Sequence, residues 1–226
     1  MNIYFDIGGT NFRCYENLQE IVNVKTEDDV LSQITKTIDE LLIDGNVNRV
    51  NICIAGIIED YKIYGCGNIN LKDGSNLLKS YNGIEIKYLN DGDAFVLGEV
   101  DCNNICVKNK NILGIIFGTG VGSGLIMNGN LVKNCEINKM LEVFMRDNYL
   151  KNENIDLVCK FIGEKLGELI ELLNLDIIIL NGYINNFSNF KGKLNDSIKC
   201  NFYFSKKLEI IMSNCKLSNI HGLKNI

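Results

Sequence analysis

Proline and tryptophan are absent from the 226 residues, and alanine occurs only at Ala55 and Ala94. About 5% proline is usual, so roughly eleven of these turn-forming residues are missing. Turns must therefore be written in Gly, Asn and Asp. Long apolar runs are lacking too. None approaches the ~18 residues that a bilayer helix needs, and the longest, at Ile112–Phe117 and 177–180, have the length of buried strands. That argues against a membrane span. The chain enters a strand pattern at once (MNIYFDI), with no basic segment ahead of an apolar stretch, so no signal peptide is expected and the cytoplasm is the expected compartment.

An excess of positive charge is also missing. A net charge of -5 and a pI near 5.0 speak against a nucleic-acid surface, which needs a basic field. They leave room for small phosphorylated ligands, which backbone amides and a metal hold without many cationic side chains. No C-x-x-C pair exists among the nine cysteines, at 14, 53, 66, 102, 106, 135, 159, 200 and 215, so a zinc ribbon is not expected. Their odd number and scatter predict reduced thiols rather than a disulfide scaffold, with Cys102 and Cys106 spaced to share a helix face. The lone histidine, His221, is far in sequence from every glycine-rich stretch and reads as an ordinary helix residue.

What is present is ordinary for a globular protein: 46% hydrophobic and 23% charged residues. The length suits one large domain or two small lobes, enough to remove roughly 70% of the unfolded surface from water. Residues 2–7, 12–16 and 20–25 read as a meander of strands. A helix is expected over 29–43, capped by Asp28 or Asp29, with Val30, Ile34, Ile38, Leu41 and Leu42 on one face and Gly45 ending it. A buried strand follows at 50–55, a short element at 61–65, a short helix near 75–82, a strand at 84–89 and a helix at 92–100. A second round opens with a strand at 112–117, a glycine run, a strand at 125–127, an Asn128-Gly129 turn and helices at 136–150 and 155–174. It closes with strands at 176–180 and 200–204 and one or two short helices. The two halves match in plan, which predicts two similar α/β lobes facing a cleft, 1–105 and 106–226.

Three constellations carry chemistry. The first is Asp6-x-Gly8-Gly9-Thr10-Asn11: paired glycines after a strand let the backbone turn sharply and bring amides close to an anion. Asp6 is placed to hold a hydrated Mg²⁺. A plain hairpin turn is the competing reading. The second is Gly118-Thr119-Gly120-Val121-Gly122-Ser123-Gly124. Four alternating glycines suit a phosphate nest better than a plain hairpin. Neither a Rossmann fingerprint nor a P-loop fits, because a strand follows the glycines and no Gly-Lys-Ser/Thr is present. The third is Asn90-Asp91 at the end of a strand and the start of a helix, where a carboxylate reads either as an N-cap or as a base that accepts an alcohol proton. Asp93 competes for either role.

In this order, residues 6–13 (DIGGTNFR), 90–99 (NDGDAFVLGE) and 118–131 (GTGVGSGLIMNGNL) resemble the phosphate-1, connect-1 and phosphate-2 motifs of actin-like sugar kinases, most closely the ROK group with its glucokinases. Residues 168–182 resemble the adenosine motif, with its glycine pair reduced to Asn181-Gly182, and residues 217–226 resemble a closing helix. The resemblance implies two ribonuclease-H-like lobes around a nucleotide and sugar cleft, in an enzyme that transfers phosphate from ATP, with Mg²⁺, to a hexose or N-acetylhexosamine. By the same resemblance Asp91 is the general base. Asp6, Gly8, Gly9, Thr10, Asn11, Arg13, Gly118, Thr119, Gly120 and Gly182 belong to the nucleotide side, with Asp6 meeting Mg²⁺ through water. Asn90, one of Asn68 and Asn70, Glu136 and Glu142 belong to the sugar side, and dimers are common in the group. The chain departs from the pattern after phosphate-2. The usual Gly-Glu-x-Gly-His stretch and cysteine-rich loop give way to residues 135–142 (CEINKMLE), so no structural zinc is expected. A non-catalytic nucleotide- or sugar-binding relative, a kinase of a non-sugar alcohol such as pantothenate, and a bare ATPase are the alternatives.

Overall fold

The computed structural model describes residues 1–66, 69–118, 120–137, 140–141, 154–201 and 207–226. Its contacts divide the chain into one unit of Met1–Gly98 with Leu217–Ile226 and a second of Glu99–Lys216. No helix among the described residues is long and apolar enough to cross a membrane.

The first unit opens with the meander β1 (Asn2–Ile7), β2 (Asn11–Glu16) and β3 (Gln19–Lys25), followed by α1 (Val30–Asp44). Asp29 caps α1, accepting the Ser32 N–H at 3.1 Å, and its exposed carboxyl is held below the usual carboxylate range by those Ser32 bonds. Val30, Ile34 and Ile38 are fully buried, each worth ~1.5–3 kcal/mol of apolar transfer. Gly45 does follow the helix, but extended (φ 176) rather than left-handed. Next come β4 (Arg49–Ile54), β5 (Ile57–Glu59), β6 (Lys62–Tyr64), β7 (Ser75–Asn76), β8 (Ser80–Tyr81), β9 (Ile84–Asn90) and α2 (Asp91–Cys102). The helix expected near 75–82 is absent. Asn82 and Gly83, at φ 50 and 78, instead form a two-residue turn that pairs β8 with β9. Cys106 lies beyond the end of α2, so it does not share a helix face with Cys102.

The second unit carries β10 (Ile112–Phe117), β11 (Val121–Met127), β12 (Asn130–Val132), α3 (Ile155–Leu173), β13 (Ile177–Gly182), α4 (Phe190–Asn201) and β14 (Glu209–Met212). The strand expected at 200–204 is displaced: residues 200–201 close α4, 202–204 lie outside the described residues, and the last strand is β14. The helix expected at 136–150 falls largely outside them. Helix α5 (Ser218–Leu223), at the C-terminal end, belongs to the first unit.

The two larger sheets run β3-β2-β1-β4-β9-β8 and β12-β11-β10-β13-β14, and β5-β6-β7 form a small third sheet. In each larger sheet, an antiparallel meander precedes strands parallel to its first member, so the two halves do repeat one plan. Each larger sheet has its own apolar core, one around Phe5, Phe12, Ile34 and Ile52, the other around Leu113, Phe117, Leu166 and Ile178. Asparagine takes many of the left-handed positions: Asn17, Asn104, Asn109, Asn128, Asn134, Asn174 and Asn189 all have positive φ, which a short polar side chain tolerates.

The expectation of reduced thiols throughout fails as well. Cys102 and Cys215, 113 residues apart in sequence, form a disulfide. Spacing alone could not reveal it, because the pairing depends on tertiary approach.

Candidate functional site

Register sets the first unit's site. Ile7 pairs with Ile54 and Ile54 with Asn90 along three parallel strands. The segments that follow them, at Gly8, Ala55 and Asp91, therefore leave the sheet at the same carboxyl edge, where α/β folds bind ligands.

Asn90, not Asp91, caps α2. Its Oδ1 accepts the N–H groups of Gly92 at 2.8 Å and Asp93 at 3.1 Å, and its amide donates to the Gly56 carbonyl at 2.9 Å. That answers the ambiguity between cap and base: the buried Asn90 supplies the cap. The Asp91 carboxylate accepts the Gly92 N–H at 3.0 Å. Burial pushes its pKa above the usual carboxylate range, the Gly92 bond works the other way, and the charge of Asp6 adds to the rise. Asp93 is buried within the first turn of the helix.

Asp6 sits opposite Arg13 in the β1–β2 register, and the guanidinium stands 3.4 Å from its Oδ2. Its Oδ1 accepts two further bonds, from the Cys53 thiol at 3.2 Å and the Asn219 amide at 3.0 Å. Burial, then Asp6 and Asp91, hold the Cys53 thiol well above its ordinary pKa. The following turn is shaped by Gly8 N–H donating to the Asn11 carbonyl at 3.0 Å. Thr26 braces it, its hydroxyl donating to the Gly8 carbonyl at 2.6 Å and its N–H to the Thr10 carbonyl at 3.2 Å. Gly9 and Thr10 form the exposed tip. A hydrated Mg²⁺ fits Asp6: the group is a hard oxygen donor and partly exposed, with Oδ2 beside Arg13.

In the second unit the glycine run is shorter than its sequence suggests. Gly122 and Gly124 lie within β11, opposite Ile116 and Gly114, leaving Gly118 and Gly120 in the turn; Thr119 lies outside the described residues. Space around these two is open: a Cβ on Gly120 would meet nothing within 4 Å, and one on Gly118 would come no closer than 4.0 Å to the Gly120 carbonyl. Gly182, at φ 94, is packed differently. A Cβ there would stand 2.2 Å from the Phe117 carbonyl, so glycine is needed for β13 to pass the end of β10 beside the Gly118 turn.

Of the sugar-side candidates, Asn70 is exposed, Glu136 is half-buried, and Asn68 and Glu142 lie outside the described residues. Ser123, fully buried, donates its hydroxyl to the Cys135 carbonyl at 3.1 Å and accepts the Ile137 N–H at 2.8 Å, bracketing Glu136. The structure thus groups Asp6, Gly8, Asn11, Arg13, Asn90 and Asp91 in one unit and Gly118, Gly120 and Gly182 in the other. Thr26, Cys53, Ser123 and Asn219 escaped the sequence reading, because isolated polar residues carry no local pattern.

Comparison with known proteins fits this arrangement. The ROK family pattern matches residues 3–133. An N-acetyl-D-glucosamine kinase from Yersinia enterocolitica is 32% identical over an alignment 145 residues long that covers 57% of this chain and 46% of that protein. The chain thus spans about half the length of this curated relative. Among solved structures, a ROK family glucokinase from Streptomyces griseus, in complex with glucose and AMPPNP, aligns over 98% of this chain and 96% of its own, at a TM-score of 0.73 and 15% identity. A ROK family transcriptional regulator, homologous to the MLC protein of E. coli, aligns over 98% and 76%, with a TM-score of 0.74 and 16% identity. The fold is the actin-like ATPase fold that such neighbours share.

Proposed function

Since the chain belongs to the ROK family, we propose that it is an ATP-dependent kinase of a hexose or N-acetylhexosamine, with Asp91 as its general base. The observation that carries this reading is the division of labour at the start of α2. Asn90 caps the helix, and the next residue is left as a partly buried carboxylate at the sheet's carboxyl edge with a raised pKa. A base of raised pKa accepts a hydroxyl proton more readily. A helix cap alone would require neither feature.

In this reading Asp91 orients a sugar hydroxyl and takes its proton as the oxygen attacks the γ-phosphorus. Asp6 holds the hydration shell of Mg²⁺, and Arg13 adds positive charge beside it. The exposed Gly9–Thr10 tip offers backbone N–H groups to phosphates, and Gly118, Thr119 and Gly120 keep the nucleotide-side role that the family resemblance gives them. Mg²⁺, when bound, neutralises charge on the transferring phosphoryl group. Asn90 and Glu136 serve the sugar side, Asn90 by fixing the helix start and the 55–57 loop, and Gly182 lies on the nucleotide side.

The test is ADP release from Mg·ATP with a panel of hexoses, N-acetylhexosamines and pantothenate. Stimulation by one sugar is expected, and Asp91→Asn should lower it by ~10²–10⁴-fold while ATP binding holds. Stimulation by pantothenate alone would move the chain to a different substrate class. Sugar-independent release would make it an ATPase. Silence accompanied by ligand-induced thermal shifts would make it a binding relative.

A further inference from the structure

We propose that Asn219, on the C-terminal helix α5, is a positioning residue that sets which oxygen of Asp6 faces the metal. The inference rests on the kinase reading above and concerns how that site is held.

The geometry is specific to one carboxylate oxygen. Oδ1 of Asp6 accepts from the Asn219 amide at 3.0 Å and from the Cys53 thiol at 3.2 Å. Two donors satisfy the two lone pairs of a carboxylate oxygen. Oδ2, by contrast, stands beside the Arg13 guanidinium at 3.4 Å. That contact is longer than a well-formed charge-assisted bond, so Oδ2 keeps capacity for a hydrated cation. The two donors arrive from different directions. Cys53 stands directly across from Asp6 in the β1–β4 register, whereas Asn219 comes from 213 residues away in sequence.

Helix α5 is fixed tightly enough to act as a reference. A Cβ on Gly98 of α2 would stand 1.6 Å from the Ser218 carbonyl, and one on Gly222 would stand 1.9 Å from the Ala94 carbonyl. The Asn51 amide of β4 also donates to the Leu223 carbonyl at 2.7 Å. One short helix thus rests on the element that starts with Asp91 and bonds Asp6 directly. Without the Asn219 donor, the carboxylate can rotate to meet the Arg13 fork with both oxygens, the geometry guanidinium groups prefer. That withdraws Oδ2 from the cation.

The test measures metal binding rather than turnover. Mn²⁺ affinity in the presence of AMPPNP is followed by electron paramagnetic resonance, and metal-free AMPPNP affinity by calorimetry. Asn219→Ala should weaken Mn²⁺ binding by about 3- to 10-fold, the range for losing one net hydrogen bond, and leave metal-free nucleotide affinity unchanged. Cys53→Ala should act in the same direction, and Cys53→Ser, which keeps a donor, should restore most of the affinity. The double alanine variant should lose less than the product of the single effects, because both act on one oxygen. Asp6→Asn sets the floor. Unchanged Mn²⁺ affinity in Asn219→Ala and Cys53→Ala, alongside a loss in Asp6→Asn, overturns the positioning role and leaves the kinase reading standing. An equal loss of metal-free nucleotide binding also overturns it, since α5 would then be acting through general packing. If the unaltered protein binds AMPPNP neither with nor without Mn²⁺, the kinase reading fails and the inference with it.

Discussion

Replacing Gly98 by alanine sets two physical effects against each other. Gly98 lies inside α2, where helix propensity alone favours alanine by about 1 kcal/mol. Packing points the other way. The new Cβ would stand 1.6 Å from the Ser218 carbonyl and 2.9 Å from the Gly222 nitrogen, and backbone atoms cannot swing aside as a side chain can. Restoring ordinary contact requires α5 to move by roughly 2 Å in an interior packed without slack. Overpacking of this kind typically costs about 1–3 kcal/mol. The shift also strains the Asn51 to Leu223 bond of 2.7 Å and the Asn219 to Asp6 bond of 3.0 Å, and each buried group left unpaired adds about 1–3 kcal/mol. After subtracting the propensity gain, the net destabilisation is roughly 2–8 kcal/mol, the upper end applying if both bonds are lost. For a chain of this length that lowers Tm by roughly 4–30 °C. Differential scanning calorimetry on the full chain checks it. A Tm equal to or above that of the unaltered protein would mean that propensity wins and that α2 and α5 are not in backbone contact. Gly222→Ala, facing Ala94 from the other helix, should fall in the same direction, with the double variant losing less than the sum.

The pH behaviour follows from Asp91, whose pKa is raised mainly by burial. A raised carboxyl pKa means the folded state binds a proton more readily than the unfolded one, so ionised Asp91 destabilises the fold once pH exceeds its folded pKa. Asp91→Asn should therefore raise Tm at pH 7–8 while lowering sugar phosphorylation by the ~10²–10⁴-fold given above, and the gain should shrink as pH falls below the folded pKa; a Tm gain independent of pH would contradict this. The acid limb of kcat/KM for the unaltered enzyme should likewise lie above the ordinary carboxylate range, and a limb at or below it would argue against Asp91 as the base. Thiol labelling gives a further check. Cys106 and Cys200 are exposed and should react with a disulfide reagent within seconds to minutes. Cys14 and Cys159, buried and pushed up to about 12 and about 11, should stay silent until the chain unfolds, and rapid labelling of either in the native protein would refute the burial described.

The glycine turns, the Asn90-Asp91 junction and the doubled order of strands were legible in the sequence because each is local. A turn type selects its residues within four positions, and a buried strand announces itself by a short apolar run. Asp6, Asn90, Asp91, Gly118 and Gly120 could be named on those grounds. The choice between cap and base at Asn90-Asp91 could not be made, because both residue types cap helices and only the bonds to Gly92 and Asp93 separate them. Short pieces follow tertiary pairing instead: residues 75–82 hold two adjacent leucines, Leu77 and Leu78, with no periodicity long enough to fix a helix, and the Asn82-Gly83 turn and pairing with β9 decide the conformation of their end.

Tertiary structure alone decided the rest. The Cys102–Cys215 disulfide, the Cys53 and Asn219 bonds to Asp6 and the interlock of Gly98 with α5 join residues that are 47 to 213 positions apart or separated by a whole unit of chain. Nothing near any of these residues in sequence signals its partner, because hydrogen bonds and close contacts depend on distance in space. The chain's local chemistry specifies which turns and strands form. Only the packed arrangement of those elements determines which side chains bond each oxygen of Asp6 and which residue caps α2.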